Sequence, residues 1–312
     1  MPQVQTNGIN IEYELIGDQG PVIVLVMGLG MQMVAWPDEF IAPLTNAGYR
    51  VLRFDNRDVG RSTWFDDLGC PSLFSMALKH ALRLTIKSPY SLSDMANDAL
   101  GVCDALGIKQ AHWIGVSMGG MIAQLLAANH PTRVASLISV MSSSGARSLP
   151  GPTSATRKAM LQRAPNLRTH ADPKARAEAW VEHTFKLLQT IGSPANPLED
   201  AGAQTRAELE TRARIHAANK RAFHPAGTLR QTAAILADGD RSARLQTIKT
   251  PTLVIHGEVD PLLPIACGYD TAKKITGSRF VPVMGMGHDL APVAQTGILA
   301  AVLPFIAQHA VT

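Results

Sequence analysis

The sequence predicts an α/β fold, a mostly parallel twisted sheet covered by helices on both faces and interrupted by one helical insertion. Three observations carry this reading. Short apolar runs at 21–27, 49–54, 111–116, 134–141, 251–256 and 279–283 alternate with helical stretches. Runs such as 21–27 are continuously apolar rather than alternating, as strands buried on both faces must be. Between 143 and 226 the alternation stops, and the chain becomes rich in Ala, Arg, Pro and Glu with no β-type run. The predicted organisation is therefore a core domain of residues 1–142 and 227–312, with 143–226 as a helical cap.

In chain order, residues 4–6 and 9–15 flank Asn7-Gly8, the preferred two-residue hairpin turn, and predict two antiparallel edge strands. The run at 21–27 predicts a central strand ending in the compact loop Gly28-Leu29-Gly30. A helix over 36–47 stops at Gly48. A strand at 49–54 leads into the polar turn formers of 55–62. Residues 73–86 predict an amphipathic helix whose Lys79, His80 and Arg83 form a solvated basic face over the domain. The competing reading is a helix that touches a membrane or partner. A further helix starts at Ser93-Asp94 and runs to Leu106, closed by Gly107. Within the cap, helical runs fall at 153–164, 173–190 and 203–222, separated by breakers such as Ile191-Gly192-Ser193-Pro194. Helices at 227–237 and 289–308 return to the core.

Composition excludes several classes. The 312 residues are 46% hydrophobic and 17% charged, as in an ordinary globule rather than a disordered chain. No apolar run is long enough to span a membrane, and the first residues lack the basic and apolar regions of a signal peptide. The three cysteines are scattered and odd in number, which fits a reducing cytoplasm and neither a disulfide framework nor a zinc site. The net charge of +4 comes from dispersed arginines and lysines, so nucleic-acid binding has little support. No membrane association is expected, and a homodimer is left open.

The chemistry centres on Gly115-Val116-Ser117-Met118-Gly119, set between the apolar run 111–116 and the helical pattern that follows. Gly-x-Ser-x-Gly in that context is a nucleophile elbow: a strained turn holds the serine out, and the next helix aims free N–H groups at it. A serine nucleophile needs a base, and the base needs an orienting acid. In this arrangement the acid and the histidine follow the serine in the chain. Glu258 and Asp260 follow one apolar run, and Asp260, set before Pro261, is the favoured acid with Glu258 as the competitor. Of the ten histidines, only His288 lies in a Gly-rich loop after the last strand. His256 reads as packed core, and no His/Cys spacing suggests a metal.

These motifs, with Val26-Met27-Gly28, Trp36-Pro37-Asp38-Glu39-Phe40, residues 53–62 and Gly285-Met286-Gly287-His288-Asp289, resemble the α/β-hydrolase-fold serine hydrolases, most of all the aclacinomycin methylesterase group. The resemblance runs from about residue 8 to residue 308. It implies Ser117, Asp260 and His288 as a catalytic triad, and the backbone N–H groups of Leu29 and Met118 as an oxyanion hole. It also implies Asp55 and Arg57 as structural braces beneath the first loop. Where many relatives carry His-Gly-x-Pro in that loop, this chain has Met27-Gly28-Leu29-Gly30. The implied activity is cofactor-free hydrolysis of a small-molecule ester. Lactonase, perhydrolase and C–C bond hydrolase chemistry on the same triad, and a non-catalytic ligand receptor, are the alternatives. Apolar cap residues, Trp180 and Phe185 among them, are expected to line an apolar substrate pocket with Gly28.

Overall fold

A computed structural model describes residues 1–160, 172–194, 224–309 and 311. Eight strands form one sheet: β1 (Gln3–Thr6), β2 (Ile9–Ile16), β3 (Val22–Val26), β4 (Arg50–Phe54), β5 (Ala111–Val116), β6 (Val134–Val140), β7 (Thr252–Gly257) and β8 (Arg279–Val283). Their spatial order is β1-β2-β4-β3-β5-β6-β7-β8. The pairs β1–β2 and β2–β4 are antiparallel, and every later pair is parallel. The Asn7-Gly8 turn takes positive φ at both residues, as a tight hairpin requires. The structure makes one correction here. Of the two hairpin strands only β1 lies at an edge of the sheet, because β2 is paired with β1 on one side and β4 on the other.

All five residues of β3 are buried, and they sort by the two-residue pleat. Val22, Val24 and Val26 face one core with α3 (Leu92–Ala105) and α4 (Met118–Asn129). Ile23 and Leu25 face the other, with α1 (Asp38–Asn46) and the C-terminal helix Pro292–Ala307. A strand flanked by helices on both faces has no polar side to present, hence the uninterrupted valines and leucines. The N-cap of α3 is Ser91, not Ser93. Its hydroxyl accepts from Asp94 N–H while the Asp94 carboxylate accepts from Ser91 N–H, a reciprocal capping box.

The helix predicted at 73–86 is shorter, α2 (Leu73–Ala81), and its faces differ from expectation. Of its residues only Met76 is buried, with Ile86 against Leu229, Ala233 and Leu236. Leu73, Leu78, Leu82, Leu84 and Phe74, the last 78% exposed, stay at the surface. The segment is apolar on several sides and has one helical partner, so the outward face is apolar as well as basic.

Between β6 and β7 the chain forms α5 (Ser154–Met160), α6 (Pro173–Ile191), α7 (Pro225–Asp238) and the short α8 (Ser242–Leu245). Helix α6 belongs to an inserted helical cap region. Residues 161–164 of one expected cap helix, and all of 203–222, lie outside the described residues. Among the described residues, the remaining α-helices are α9 (Ala266–Lys274) and α10 (Pro292–Ala307). Among the described residues, no helix is long and apolar enough to cross a membrane.

The sheet order also locates a crevice. From β3 the chain moves to β4 on one side, then returns to place β5 on the other. At such a switch point the loops leaving the carboxyl ends of the two strands diverge, and ligands bind between them. The loop after β3 carries Gly28, and the turn after β5 carries Ser117.

Candidate active site

Ser117 joins β5 to α4 with φ 54° and ψ −119°, outside the region that L-residues favour. Hydrogen bonds to the Ser117 backbone hold the turn. Ser117 N–H donates to the Val140 carbonyl (3.0 Å), Gly120 N–H donates to the Ser117 carbonyl (3.0 Å), and the Ser142 hydroxyl donates to that same carbonyl (2.8 Å). Neighbouring glycines make the turn sterically feasible. A Cβ on Gly115 would overlap the Gly119 backbone, and one on Gly119 would overlap the Val26 carbonyl. Because backbone rather than a pliable side chain is in the way, Gly119→Ala is expected to destabilise the fold by about 3 kcal/mol or more. Urea unfolding, or failure to accumulate as soluble protein, measures this. A Gly119→Ala protein with the wild-type midpoint would show that the elbow is not tightly packed.

The structure brings Ser117, His288 and Asp260 together. His288 Nε2 lies 3.0 Å from Ser117 Oγ, and His288 Nδ1 lies 2.7 Å from Asp260 Oδ2. Asp260 comes from the turn after β7 and His288 from the loop after β8, both at the carboxyl edge of the sheet. The other Asp260 oxygen accepts from the backbone N–H groups of Leu262 and Leu263, at 2.9 and 2.8 Å. The carboxylate is thus aimed by its own turn, with one oxygen committed below and one left for the imidazole. Glu258, the competitor, is exposed.

His256, expected to be core, is fully buried and contributes to the same turn. Its Nε2 lies 2.6 Å from the Leu263 carbonyl and 3.6 Å from Asp260 Oδ2. A carbonyl can only accept, so Nε2 carries the proton and donates. Burial pushes the His256 pKa down, which keeps the ring neutral. A neutral ring adds no positive charge to compete with His288 for Asp260. His112 is also buried, and desolvation lowers its pKa to about 4. It faces Ser136 Oγ at 2.8 Å, within the sheet.

Gly28 faces the serine from the first loop. A Cβ there would lie 3.3 Å from Ser117 Cβ and 3.8 Å from its Oγ. The loop is braced from several sides. Asn56 Nδ2 donates to the Met27 carbonyl (3.1 Å), and Asp55 Oδ1 accepts from Met33 N–H (2.8 Å). Gly30 N–H donates to Gln231 Oε1 (2.8 Å), while Gln231 Nε2 donates to the Arg57 carbonyl (2.8 Å). Asp55 therefore braces the loop directly, whereas Arg57 reaches it only through its carbonyl. The Arg57 guanidinium is bound to Asp98 of α3, at 2.6 and 2.8 Å. Gln231 was not recognised in the sequence. Its one signal there is an amide on the buried side of a helix, at a position where a globular core would place an apolar residue.

Met118 opens α4, so its N–H has no acceptor within the helix, and it follows Ser117 directly. Leu29 is half-buried in the opposing loop. Of the expected pocket residues, Phe185 is half-buried on α6. The side chain of Trp180 lies outside the described residues. The C-terminal end of α6 reaches the histidine loop, where His288 N–H donates to the Ile191 carbonyl (2.7 Å).

Known proteins share this fold. A family profile described as the alpha/beta hydrolase fold matches residues 21–293. The rhodomycin D methylesterase DauP of Streptomyces sp. (strain C5) is 29% identical over 302 residues, covering 93% of this chain and 92% of that protein. The putative carbamate hydrolase RutD of Variovorax paradoxus (strain S110) is 30% identical over 295 residues, covering 91% and 92%. Among solved structures, the enol-lactonase from Burkholderia xenovorans LB400 superposes with a TM-score of 0.62 at 23% identity, covering 99% of both chains. The meta-cleavage product hydrolase CumD from Pseudomonas fluorescens IP01 superposes with a TM-score of 0.69 at 17% identity, covering 99% and 98%. At those identities the two structures speak to the fold alone. With the profile spanning most of the chain, and with a switch-point crevice and a strand–Ser–helix elbow in place, this protein belongs to the alpha/beta hydrolase fold family.

Proposed function

We propose that the protein is a serine esterase that cleaves a carboxylic ester of a small, mainly apolar substrate through an acyl-enzyme intermediate. The observation that carries this reading is the continuous relay from Ser117 Oγ through both ring nitrogens of His288 to Asp260, at 3.0 and 2.7 Å. Asp260 can only accept, so it selects the tautomer with the proton on Nδ1. That leaves the Nε2 lone pair to take the Ser117 proton. The serine oxygen attacks the ester carbonyl, whose C=O π electrons move onto the oxygen. The N–H groups of Leu29 and Met118 receive that oxyanion. Loss of one such donor typically costs about 3 kcal/mol of transition-state stabilisation. His288 then gives its Nε2 proton to the departing alkoxide, and the acyl group remains on Ser117. Water, deprotonated by the same nitrogen, attacks the acyl carbonyl, and His288 returns that proton to Ser117 Oγ as the acid leaves. Every proton is accounted for without a cofactor.

Residues 143–226 serve in this reading as the cap over the crevice. The kinship with rhodomycin D methylesterases, and the resemblance to the aclacinomycin methylesterase group, favour a methyl ester on a bulky apolar acid. A lactone is the second candidate substrate, since ring opening uses the same relay and the fold is shared with an enol-lactonase. Cys70, Cys103 and Cys267 are all unpaired, in keeping with a cytoplasmic enzyme. A fluorophosphonate probe is expected to label Ser117 stoichiometrically. A panel of methyl, p-nitrophenyl and lactone substrates then ranks the acyl chemistry. An unlabelled, folded protein would favour a binding role over catalysis.

The cap makes a specificity prediction. An apolar substrate pocket under the cap, as this reading requires, resists an unpaired charge. Neutral esters are expected to exceed matched acidic esters in kcat/KM by about tenfold or more. Phe185→Ala and Trp180→Ala are expected to narrow that ratio by raising KM for the neutral ester. Unchanged ratios across folded cap variants would remove the cap from substrate selection.

A further inference from the structure

The end of α6 and the histidine loop interlock through groups that the catalytic relay does not use. The Ser193 hydroxyl accepts from Gly287 N–H (2.9 Å) and donates to Asp289 Oδ1 (2.7 Å). Asp289 Oδ2 accepts from Ser193 N–H (3.0 Å), and Oδ1 also accepts from Ala291 N–H (3.3 Å). Between them, His288 N–H donates to the Ile191 carbonyl (2.7 Å). Both side chains are almost fully buried, at 5% and 9% exposure. Two glycines permit the contact. A Cβ on Gly287 would overlap the Gly192 carbonyl group, and one on Gly192 would lie 2.6 Å from Asp289 Oδ2. Residues 191–193 of the cap and 287–291 of the core therefore meet backbone to backbone, with His288 in the middle of the seam.

We infer that Ser193 and Asp289 form a latch through which the seat of cap helix α6 sets the position of His288. They are positioning residues: neither is in hydrogen-bond contact with Ser117 or Asp260, and they act through the peptide units on either side of the histidine. A carboxylate buried in a core segment is costly unless its oxygens are satisfied. Here the satisfying donors come from the cap and from Ala291. Moving the cap end would strip Asp289 of the donors from Ser193, so α6 and the histidine loop must move as one body. The consequence is coupling. A substrate that displaces α6 also displaces the imidazole, and only one that leaves the seam closed keeps Nε2 aligned with Ser117. This inference rests on the esterase reading for its kinetic meaning, though the coupling itself is a property of the fold.

The test uses the full-length protein with Ser193→Ala and Asp289→Asn. The Ala variant leaves Gly287 N–H without its acceptor. The Asn variant keeps the side-chain volume but presents an NH2 group to donors that need an acceptor. The structural readout is the downfield proton resonance of His288 Nδ1–H, assigned by its loss in His288→Gln. The kinetic readout is p-nitrophenyl acetate hydrolysis. Both variants are expected to broaden or shift the resonance and to lower kcat by about 10- to 100-fold with KM little changed, as misplacement of a catalytic group does. The double variant is expected to be no worse than the worse single variant, because the two residues act as one unit. Either variant, folded, with a wild-type resonance and wild-type kcat would overturn the latch. If Ser193→Ala fails to fold, Asp289→Asn alone decides between these outcomes. Failure of wild-type Ser117 to label with fluorophosphonate would instead remove the esterase reading, and the resonance would still report whether the cap holds His288.

Discussion

Ser117→Ala is expected to lower ester turnover by a factor on the order of 10⁶, while leaving the protein folded with a melting temperature within about 2 °C of wild type. The two halves of this expectation have separate causes. Turnover collapses because, among the described residues, no other hydroxyl is hydrogen-bonded to His288 Nε2, so the relay has nothing to activate. Stability holds because the turn is secured by the Ser117 backbone, through bonds to Val140, Gly120 and Ser142, and not by its hydroxyl. Alanine keeps the Cβ and meets the same strain at φ 54°. Activity is read with a p-nitrophenyl ester, and folding by circular dichroism and thermal melting. A folded Ser117→Ala protein with wild-type turnover would displace Ser117 from the mechanism altogether.

Asp260→Asn is expected to cost on the order of 10⁴ in kcat, even though the side chain barely changes shape. The turn dictates which way the amide lies. One oxygen of Asp260 already accepts from Leu262 and Leu263 N–H, so the amide oxygen keeps that place and the NH2 group is forced toward His288. An NH2 group donates, so the imidazole must offer a lone pair at Nδ1 and carry its proton on Nε2. The nitrogen facing Ser117 then has nothing with which to accept the serine proton. Glu258→Gln is the matched control. That side chain is exposed, and its loss of charge is expected to leave kcat within about twofold, as for an ordinary surface substitution. An inactive Glu258→Gln protein beside an active Asp260→Asn protein would reverse the assignment.

The strands and the elbow were legible in the sequence because burial on both faces writes a continuous apolar run, and because Gly-x-Ser-x-Gly means something specific between such a run and a helix. The hairpin was legible from Asn7-Gly8, but the place of β2 was not. Alternation records that one face of a strand is covered, and says nothing of a neighbour hydrogen-bonded in plane. The pair Ser93-Asp94 marks the start of α3 only to within two residues, and the reciprocal spacing of Ser91 and Asp94 is the signal that fixes it. On α2, periodicity marks an apolar side without saying whether a partner covers it, and Leu73, Phe74 and Leu78 remain exposed. Asp260 and Glu258 share a loop and a charge; the following Pro261 already favours Asp260 in the sequence, and the turn that aims its carboxylate at His288 is visible only in the structure. Least visible were Gln231, Ser193 and the binding role of Asp289. Their bonds span 201 residues to Gly30 and 96 between Ser193 and Asp289, so no local pattern announces them.

The position of the insertion has a consequence for how the molecule comes into being. The serine is made early and its partners late: 171 residues of chain separate Ser117 from His288. On the ribosome, β1 to β6 can begin to collapse while β7 and β8 are still unmade, since domains fold as their segments emerge. At that stage the elbow exists without a base, and the side of β6 that later pairs with β7 has no neighbour. Closing so long a loop is slow relative to local helix formation. A nascent or clipped chain therefore carries an inert serine and an unprotected strand, and hydrolytic power appears only when the segment from β7 onward docks. Delayed competence of this kind spares the cell a half-built hydrolase, at the cost of a window in which the open sheet edge invites aggregation.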